Sequence, residues 1–138
     1  MIVYADSSVL LRLVLGQTDA LAEWKQVGVA ISSALAEVEC LRTLDRLRLA
    51  DDLSDEVLAA RRQAIYDLIE SIELAALTSS VLARAAQPFP TALRTLDAIH
   101  LATALLWKEH RGADLVMATH DRALAIGARA MGLQVVGA

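Results

Sequence analysis

Short apolar segments alternate with helical ones along this chain, and that alternation limits the folds open to it. Five segments have the length and the aliphatic content of buried strands: MIVYA, VAIS, IELAAL, DLVMAT and LQVV. The segments between them carry apolar residues at three- and four-residue steps, as at Leu35, Val38 and Leu41. Strands separated by helices form parallel sheets that helices cover on both faces. The sequence therefore predicts one α/β domain with a parallel sheet.

The predicted helices have recognisable ends. Gly16, Gly28 and Gly112 each close a helical pattern, and Ser54 is placed to cap the start of another. Seven helices are expected, over SSVLLRLVLG, DALAEWKQVG, SALAEVECLRTLDRLRLA, SDEVLAARRQAIYDLIESI, SSVLARAA, TLDAIHLATALLWKEH and HDRALAIGARAMG.

The length and composition fit a single domain over residues 1–138. Hydrophobic residues make up 56% of the chain and charged ones 22%, enough for a substantial core. No apolar run is long enough to span a membrane, and the N-terminus lacks the pattern of a signal peptide. Cys40 is the only cysteine, so no internal disulfide is possible. We expect a cytoplasmic protein.

The formal net charge of −4 argues against a protein that holds nucleic acid by a general positive field. It leaves open an enzyme whose site is made of carboxylates. Such a site adds to a negative balance until metal ions bind there and reverse the local charge.

Acidic residues follow several of the predicted strands. Asp6 comes directly after MIVYA, and Asp121 follows DLVMAT. Glu37 or Glu39 lies early in the helix after VAIS, and Asp97 opens the helix TLDAIHLATALL. Open parallel sheets place their sites at the carboxyl ends of strands, so we expect these acids at one edge. Taken singly, each aspartate has a plainer explanation as a helix N-cap.

Converging carboxylates repel one another and call for a cation. Lys25 and Lys108 are the only lysines, and oxygen ligands of this kind suit Mg²⁺ or Mn²⁺. His100, His110 and His120 lack the spacing of a zinc site. A carboxylate-bound metal in an α/β domain indicates phosphate-ester chemistry. Neither a GxxxxGK phosphate loop nor a GxSxG nucleophile motif is present.

Four segments in this order, MIVYADSSVLL, SSALAEVECLRTL, TLDAIHLATAL and ATHDRALA, resemble the PIN-domain family and, within it, the VapC-type toxins of bacterial toxin–antitoxin pairs. The resemblance runs nearly from end to end. It implies a three-layer αβα sandwich, an endoribonuclease that depends on Mg²⁺ or Mn²⁺, a homodimer, and a small antitoxin that blocks the site. External water would be the nucleophile, which leaves a 5′-phosphate and a 3′-hydroxyl.

The resemblance also assigns roles to particular residues. Asp6 stands in a D-x-S motif completed by Ser8, Asp97 stands in LDAIHLA, and Asp121 stands in THDRAL. These three acids and a glutamate would hold the metal. Thr119 is expected to cap the last helix and to support an acid.

The helical pattern alone leaves open which glutamate is the fourth acid, because Glu37 and Glu39 flank Val38 on opposite sides. A pairing with Arg42 is an ordinary surface role for Glu39. In similar toxins a serine lies six residues before the catalytic glutamate and an arginine three after it. Ser33 and Arg42 match that register for Glu39, so the resemblance selects Glu39.

Other residues near these motifs have two interpretations each. His100 lies one turn after Asp97 and could orient it, or it could be a core histidine. Phe89 could stack on a base, or pack inward within a proline-fixed connector, and Arg94 could meet a phosphate. Four arginines could form a basic rim or ordinary solvated faces: Arg12, Arg42, Arg46 and Arg48.

Three other functions compete with the nuclease. A phosphoaspartate phosphatase needs a second acid where Ser8 stands, and a receiver domain needs an early acidic pair and a late lysine. A PIN-like scaffold that only binds RNA or a protein is the remaining alternative. Such a scaffold would typically have lost one of the acids, and none is lost.

Overall fold

The protein is described by a computed structural model that covers residues 1–138. Five strands and six helices alternate in the order β1 Ile2–Ala5, α1 Ser7–Val14, β2 Val29–Ser33, α2 Ala34–Asp51, α3 Asp55–Ser71, β3 Glu73–Ala75, α4 Ser79–Ala85, α5 Thr95–Arg111, β4 Val116–Ala118, α6 Arg122–Ala130 and β5 Gln134–Val136. Each predicted strand is present.

One predicted helix is shorter than expected. The segment DALAEWKQVG forms only a 3-10 turn over Ala22–Gln26, and no residue of that turn is buried. Leu21 before the turn is buried, whereas Val27 after it is already extended. Trp24 and Val27 pack against the core only in part, which is too little to hold a regular α-helix on the sheet.

All five strands are parallel and lie in the order β3-β2-β1-β4-β5. The central strand β1 pairs with β2 on one side and with β4 on the other. The chain therefore winds in opposite directions from β1, which makes a topological switch point there. A crevice opens at such a point beyond the carboxyl ends of the strands.

The two faces of the sheet carry separate hydrophobic clusters. Val3 and Ala5 of β1 face the cluster that includes Leu10 of α1 and Leu44 of α2. Tyr4 lies between them in sequence and faces the opposite cluster, with Leu101 and Leu105 of α5 and Leu124 of α6. This alternation follows from the two-residue period of a strand. The predicted αβα sandwich is confirmed.

Helix α5 is the most deeply held element near the crevice. Every residue from 98 to 105 is buried, and the helix ends at Gly112, which has the positive φ of 60° that glycine accommodates. The residues in the first turns of α5 consequently have fixed positions relative to β1. No helix of the protein is both long enough and apolar enough to cross a membrane.

Candidate active site

A cavity of about 460 Å³ opens at the carboxyl edge of the sheet, beside the switch point. Four acidic side chains line it: Asp6, Glu39, Asp97 and Asp121. Ser8, Arg94 and His100 also face the cavity, and Glu37 does not. The structure thus brings together the acids predicted from four separate segments, and of the two neighbouring glutamates it places Glu39 at the cavity.

Asp6 is the most completely held of these acids, with only 4% of its surface exposed. Its Oδ1 accepts hydrogen bonds from the Ser8 hydroxyl at 2.6 Å and from the Val9 amide at 3.2 Å. Its Oδ2 accepts one from the Thr119 hydroxyl at 2.6 Å. Asp6 is also the N-cap of α1, so capping the helix and lining the cavity are compatible roles.

The same two hydroxyls tie the loop after β4 to Asp6. The Ser8 hydroxyl accepts from the His120 amide at 2.9 Å, and the Thr119 hydroxyl accepts from the Asp121 amide at 3.0 Å. The N-cap of α6 is Asp121 itself, whose Oδ1 accepts a hydrogen bond from the amide of Leu124, three residues later. Thr119 therefore supports Asp6, as expected, and the expectation that it caps the helix is wrong.

Glu39 is hydrogen-bonded to a buried side chain. Its Oε1 lies 2.6 Å from Nε2 of His100, and Nδ1 of His100 lies 2.7 Å from the hydroxyl of Tyr4. Of the two interpretations of His100, the buried position fits the core histidine, and the side chain contacts Glu39 of α2 rather than Asp97. Tyr4 was not among the residues predicted from the sequence. The available indication was a phenol in an otherwise apolar strand, because a buried tyrosine hydroxyl usually has a polar partner.

Ser33 has a structural role that explains its spacing from Glu39. It is the N-cap of α2, and its hydroxyl accepts from the Leu35 amide at 3.1 Å. Its neighbour Ser32 donates a hydrogen bond to the carbonyl of Ala5 at 2.6 Å. The ends of β1 and β2 are thereby joined, and α2 begins at a fixed point above them. Glu39 then falls in the second turn, beside the cavity.

Asp97 differs from the other acids because it accepts no hydrogen bond from the protein. Burial raises the pKa of its carboxyl group above the ordinary value of 3.8, and the nearby charges of Asp121 and Asp6 raise it further. His100 acts in the opposite direction to a smaller extent. The site therefore holds an excess of negative charge that no lysine offsets, which is the electrostatic condition for binding a cation.

The donor set fits a hard divalent cation such as Mg²⁺ or Mn²⁺, since the ligands are carboxylate oxygens. No three acidic, histidine or cysteine side chains are arranged as the ligands of one ion in this structure. Hydrogen bonds direct Asp6 toward Thr119 and Glu39 toward His100. Asp97 is free of such bonds, so its carboxylate can turn toward an ion at the smallest cost.

Arginines flank the acidic cavity on two sides. A neighbouring cavity of about 460 Å³ is lined by Arg42 and Arg46 and shares Glu39 with the acidic one. Another, of about 530 Å³, is lined by Arg94 and Arg122 and shares two of the acids. Arg46, Arg94 and Arg122 form no ion pair within the protein. The remaining arginines of the expected rim do, since Arg12 pairs with Asp19 and both Arg42 and Arg48 pair with Asp45.

Phe89 follows the plainer of its two interpretations. It packs against the hydrophobic cluster of α5 and α6 and does not line the acidic cavity. The connector before α5 is therefore anchored by Phe89 and presents Arg94 to the cavity.

Comparison with known proteins agrees with this fold. The sequence matches the PIN domain family over residues 3–129. Ribonuclease VapC46 of Mycobacterium tuberculosis is 33% identical, over 97% of this chain and 95% of its own. Ribonuclease VapC49 of the same organism is 34% identical, over 99% of this chain and 96% of its own. The chain therefore belongs to the PIN-domain family, in its VapC group.

Solved structures share the fold. A toxin–antitoxin complex from Klebsiella pneumoniae contains a chain that matches with a TM-score of 0.66 and 19% identity, over 97% of this chain and 95% of that one. PAE2754 from Pyrobaculum aerophilum matches with a TM-score of 0.62 and 20% identity, over 99% and 90%. At these identities the likeness concerns the fold alone.

Proposed function

We propose that the protein is a metal-dependent endoribonuclease and the toxin of a toxin–antitoxin pair. The observation that carries the proposal is the meeting of Asp6, Glu39, Asp97 and Asp121 around one cavity at the switch point of the sheet. Its VapC relatives are named ribonucleases, which supports RNA as the substrate class. A scaffold that only binds has no need of four mutually repelling carboxylates.

Asp6 and Asp97 would hold the principal ion, and Glu39 and Asp121 would complete its surroundings directly or through water. When bound there, Mg²⁺ or Mn²⁺ lowers the pKa of the attacking water and offsets charge on the phosphate. The chain's own contribution is to fix the acids. Ser8 and Thr119 hold Asp6 through its two oxygens, and His100 holds Glu39 through one.

The arginines beside the cavity support a single-stranded polyanion as substrate. Arg42 and Arg46 lie on one side of the acids and Arg94 and Arg122 on the other, so phosphates before and after the cleaved bond each meet positive charge. The central acids repel a phosphate until a cation is bound. Unpaired loops are the expected targets, because their bases are open to contact while those of A-form helices are not.

We expect Mn²⁺ to bind the wild-type protein and to bind far more weakly after Asp6→Asn/Asp97→Asn, because the change removes two of the four converging charges. Isothermal titration calorimetry on both proteins checks this. The matched control is Asp55→Asn/Asp67→Asn, at exposed positions of α3 that do not line the cavity, which changes the net charge by the same two units. Equal binding by the wild type and by the site variant would show that these acids do not bind the metal.

The proposal includes a homodimer and a small antitoxin as partners. Large apolar side chains remain exposed on several elements, among them Val38, Leu49, Leu82, Leu96 and Ile126. Val38 and Leu96 line the cavity of Arg42 and Arg46, so a partner bound there would block access to the acids. Exposed apolar surface of this kind marks interaction sites. An RNA substrate would place the activity in the cytoplasm.

We expect a dimer in solution and a stable complex with the product of a short reading frame beside the gene. Multi-angle light scattering at micromolar concentration, alone and after co-expression with that product, measures both. A monomer that recovers no partner would contradict this part of the proposal and leave the metal site untouched.

A further inference from the structure

We propose that Tyr4 and His100 form a buried hydrogen-bond relay that orients Glu39, which makes Tyr4 a positioning residue of the site. The role of the relay in metal binding rests on the proposed function. The relay itself is a property of the metal-free protein and can be tested without it.

The contacts of the relay run through three elements of the fold. The Tyr4 hydroxyl of β1 lies 2.7 Å from Nδ1 of His100 in α5, and Nε2 of His100 lies 2.6 Å from Oε1 of Glu39 in α2. Tyr4 has no exposed surface and His100 has 2%. Their rings meet edge to face, with centroids 5.8 Å apart. Both ring nitrogens are thus occupied by protein partners.

The sequence spacing accounts for this placement. Tyr4 precedes Asp6 by two residues, so the two share a face at the end of β1. His100 follows Asp97 by three residues, so these two share a face of α5. In each pair, the acid lines the cavity and the other residue belongs to the relay. Glu39 of α2 meets the relay from the other side of the crevice.

The hydrogen-bonding partners select one tautomer of the neutral His100 ring. A phenol keeps its hydrogen at neutral pH, so Tyr4 has one to donate. An ionised Glu39 only accepts hydrogen bonds. With the phenol donating to Nδ1, Nε2 carries the ring hydrogen and donates it to Glu39.

Two consequences follow for Glu39. Its Oε1 is committed to His100, so Oε2 is the oxygen that remains for an ion or a water in the cavity. Its direction also depends on a residue in β1 that does not line the cavity. Replacing Tyr4 by Phe keeps the ring and its packing but leaves Nδ1 without a donor. His100 then keeps its contact with Glu39 but loses the hydrogen bond that fixes the other side of its ring.

The first test uses the metal-free protein. The ¹⁵N NMR shifts of the His100 ring should report the hydrogen on Nε2 and a hydrogen-bonded Nδ1 in the wild type, and the Nδ1 shift should move toward that of an unbonded ring nitrogen after Tyr4→Phe. Tyr66→Phe, which removes a hydroxyl from an exposed position of α3, is the matched control and should leave the His100 shifts unchanged. Unchanged shifts after Tyr4→Phe would overturn the relay whatever the protein's function.

The second test is a double-mutant cycle on Mn²⁺ affinity. Loss of a residue that orients a metal ligand typically costs about 10- to 100-fold in affinity, and we expect Tyr4→Phe to fall in that range. In a Glu39→Gln background the same change should have almost no effect, because the oriented group is gone. An equal loss in both backgrounds would show that Tyr4 acts through general packing and would refute the relay.

The two tests separate the relay from the proposed function. If the wild type binds no Mn²⁺ at all, the metal site fails while the NMR result still decides the relay. Thermal melting of each variant checks that the fold is retained.

Discussion

Asp97→Asn is expected to reduce RNA cleavage by about 10³-fold, the size of effect seen when a group that stabilises transition-state charge is removed. Asp97 lines the cavity with three other acids and is the one that accepts no hydrogen bond from the protein. Its carboxylate is therefore the most available ligand for an ion. The asparagine keeps the size of the side chain, so the loss would come from the missing charge. Initial rates on a structured RNA in Mg²⁺ or Mn²⁺ give the measurement.

The same substitution should stabilise the metal-free protein. The raised pKa of Asp97 means that the folded state disfavours its ionised form, through burial first and the charges of Asp121 and Asp6 second. Removing that charge should raise the melting temperature by a few degrees, since partial exposure screens the effect. A gain in stability together with a loss of activity is the expected mark of a functional acid.

The pH dependence of this gain has a definite sign. A carboxyl group whose pKa is raised by folding binds its proton more tightly in the folded state, so its ionisation costs stability as the pH rises through the folded pKa. The advantage of Asp97→Asn should be full above that pKa and should vanish as the pH falls below the ordinary value of 3.8. Asp114→Asn, at an exposed loop position before β4, is the control. A destabilised Asp97→Asn protein at neutral pH would contradict the electrostatic account.

The second large effect on cleavage is expected at the neighbouring glutamates, Glu37 and Glu39. Glu39→Gln should reduce cleavage by about 10²-fold or more, because Glu39 lines the cavity and is held there by His100. Glu37→Gln should leave cleavage largely unchanged, because Glu37 does not line the cavity and makes no hydrogen bond or ion pair. The two variants make the same chemical change two residues apart on one helix. Each is therefore the control for the other.

The assay must separate chemistry from folding and from RNA affinity. Melting temperatures of the two variants should agree closely with the wild type, and RNA binding in EDTA should be similar for both. The opposite ranking in cleavage would show that Glu37 is the functional residue. Equal activity of both variants would show that neither glutamate of α2 takes part in catalysis.

The fold was predictable because its pattern is local. Strand-like segments such as VAIS and DLVMAT are short and apolar, and the helices between them have clear starts and stops, as at Ser54 and Gly112. The segment DALAEWKQVG was the exception. Its apolar residues suggested a helix, but only a 3-10 turn forms there, because Leu21 alone is buried and Trp24 and Val27 pack against the core only in part.

The position of the acids was predictable from topology, whereas their contacts were not. Parallel strands bring Asp6 and Asp121 to one edge whatever the details of packing. The choice between Glu37 and Glu39 depends on how α2 is rotated over the sheet. The cap at Ser33 and the inward face of α2 set that rotation, and helical period alone does not.

The contacts of His100 were likewise not predictable from the sequence. Its spacing from Asp97 suggested a contact within α5, yet the hydrogen bonds of His100 join Tyr4 to Glu39. Those two residues are 35 positions apart in sequence and belong to different layers of the fold. Only the packing of α5 against β1 and α2 brings them together.

The most direct measurement of the central claim is cleavage of a structured RNA with end-group analysis, in Mg²⁺ or Mn²⁺ and in EDTA. The account predicts cleavage that requires the divalent ion, is lost in EDTA and in Asp97→Asn, and leaves 5′-phosphate and 3′-hydroxyl ends. Those ends follow from attack by external water, since the ribose 2′-hydroxyl takes no part. Ends carrying a 2′,3′-cyclic phosphate, or cleavage undiminished in EDTA, would contradict it.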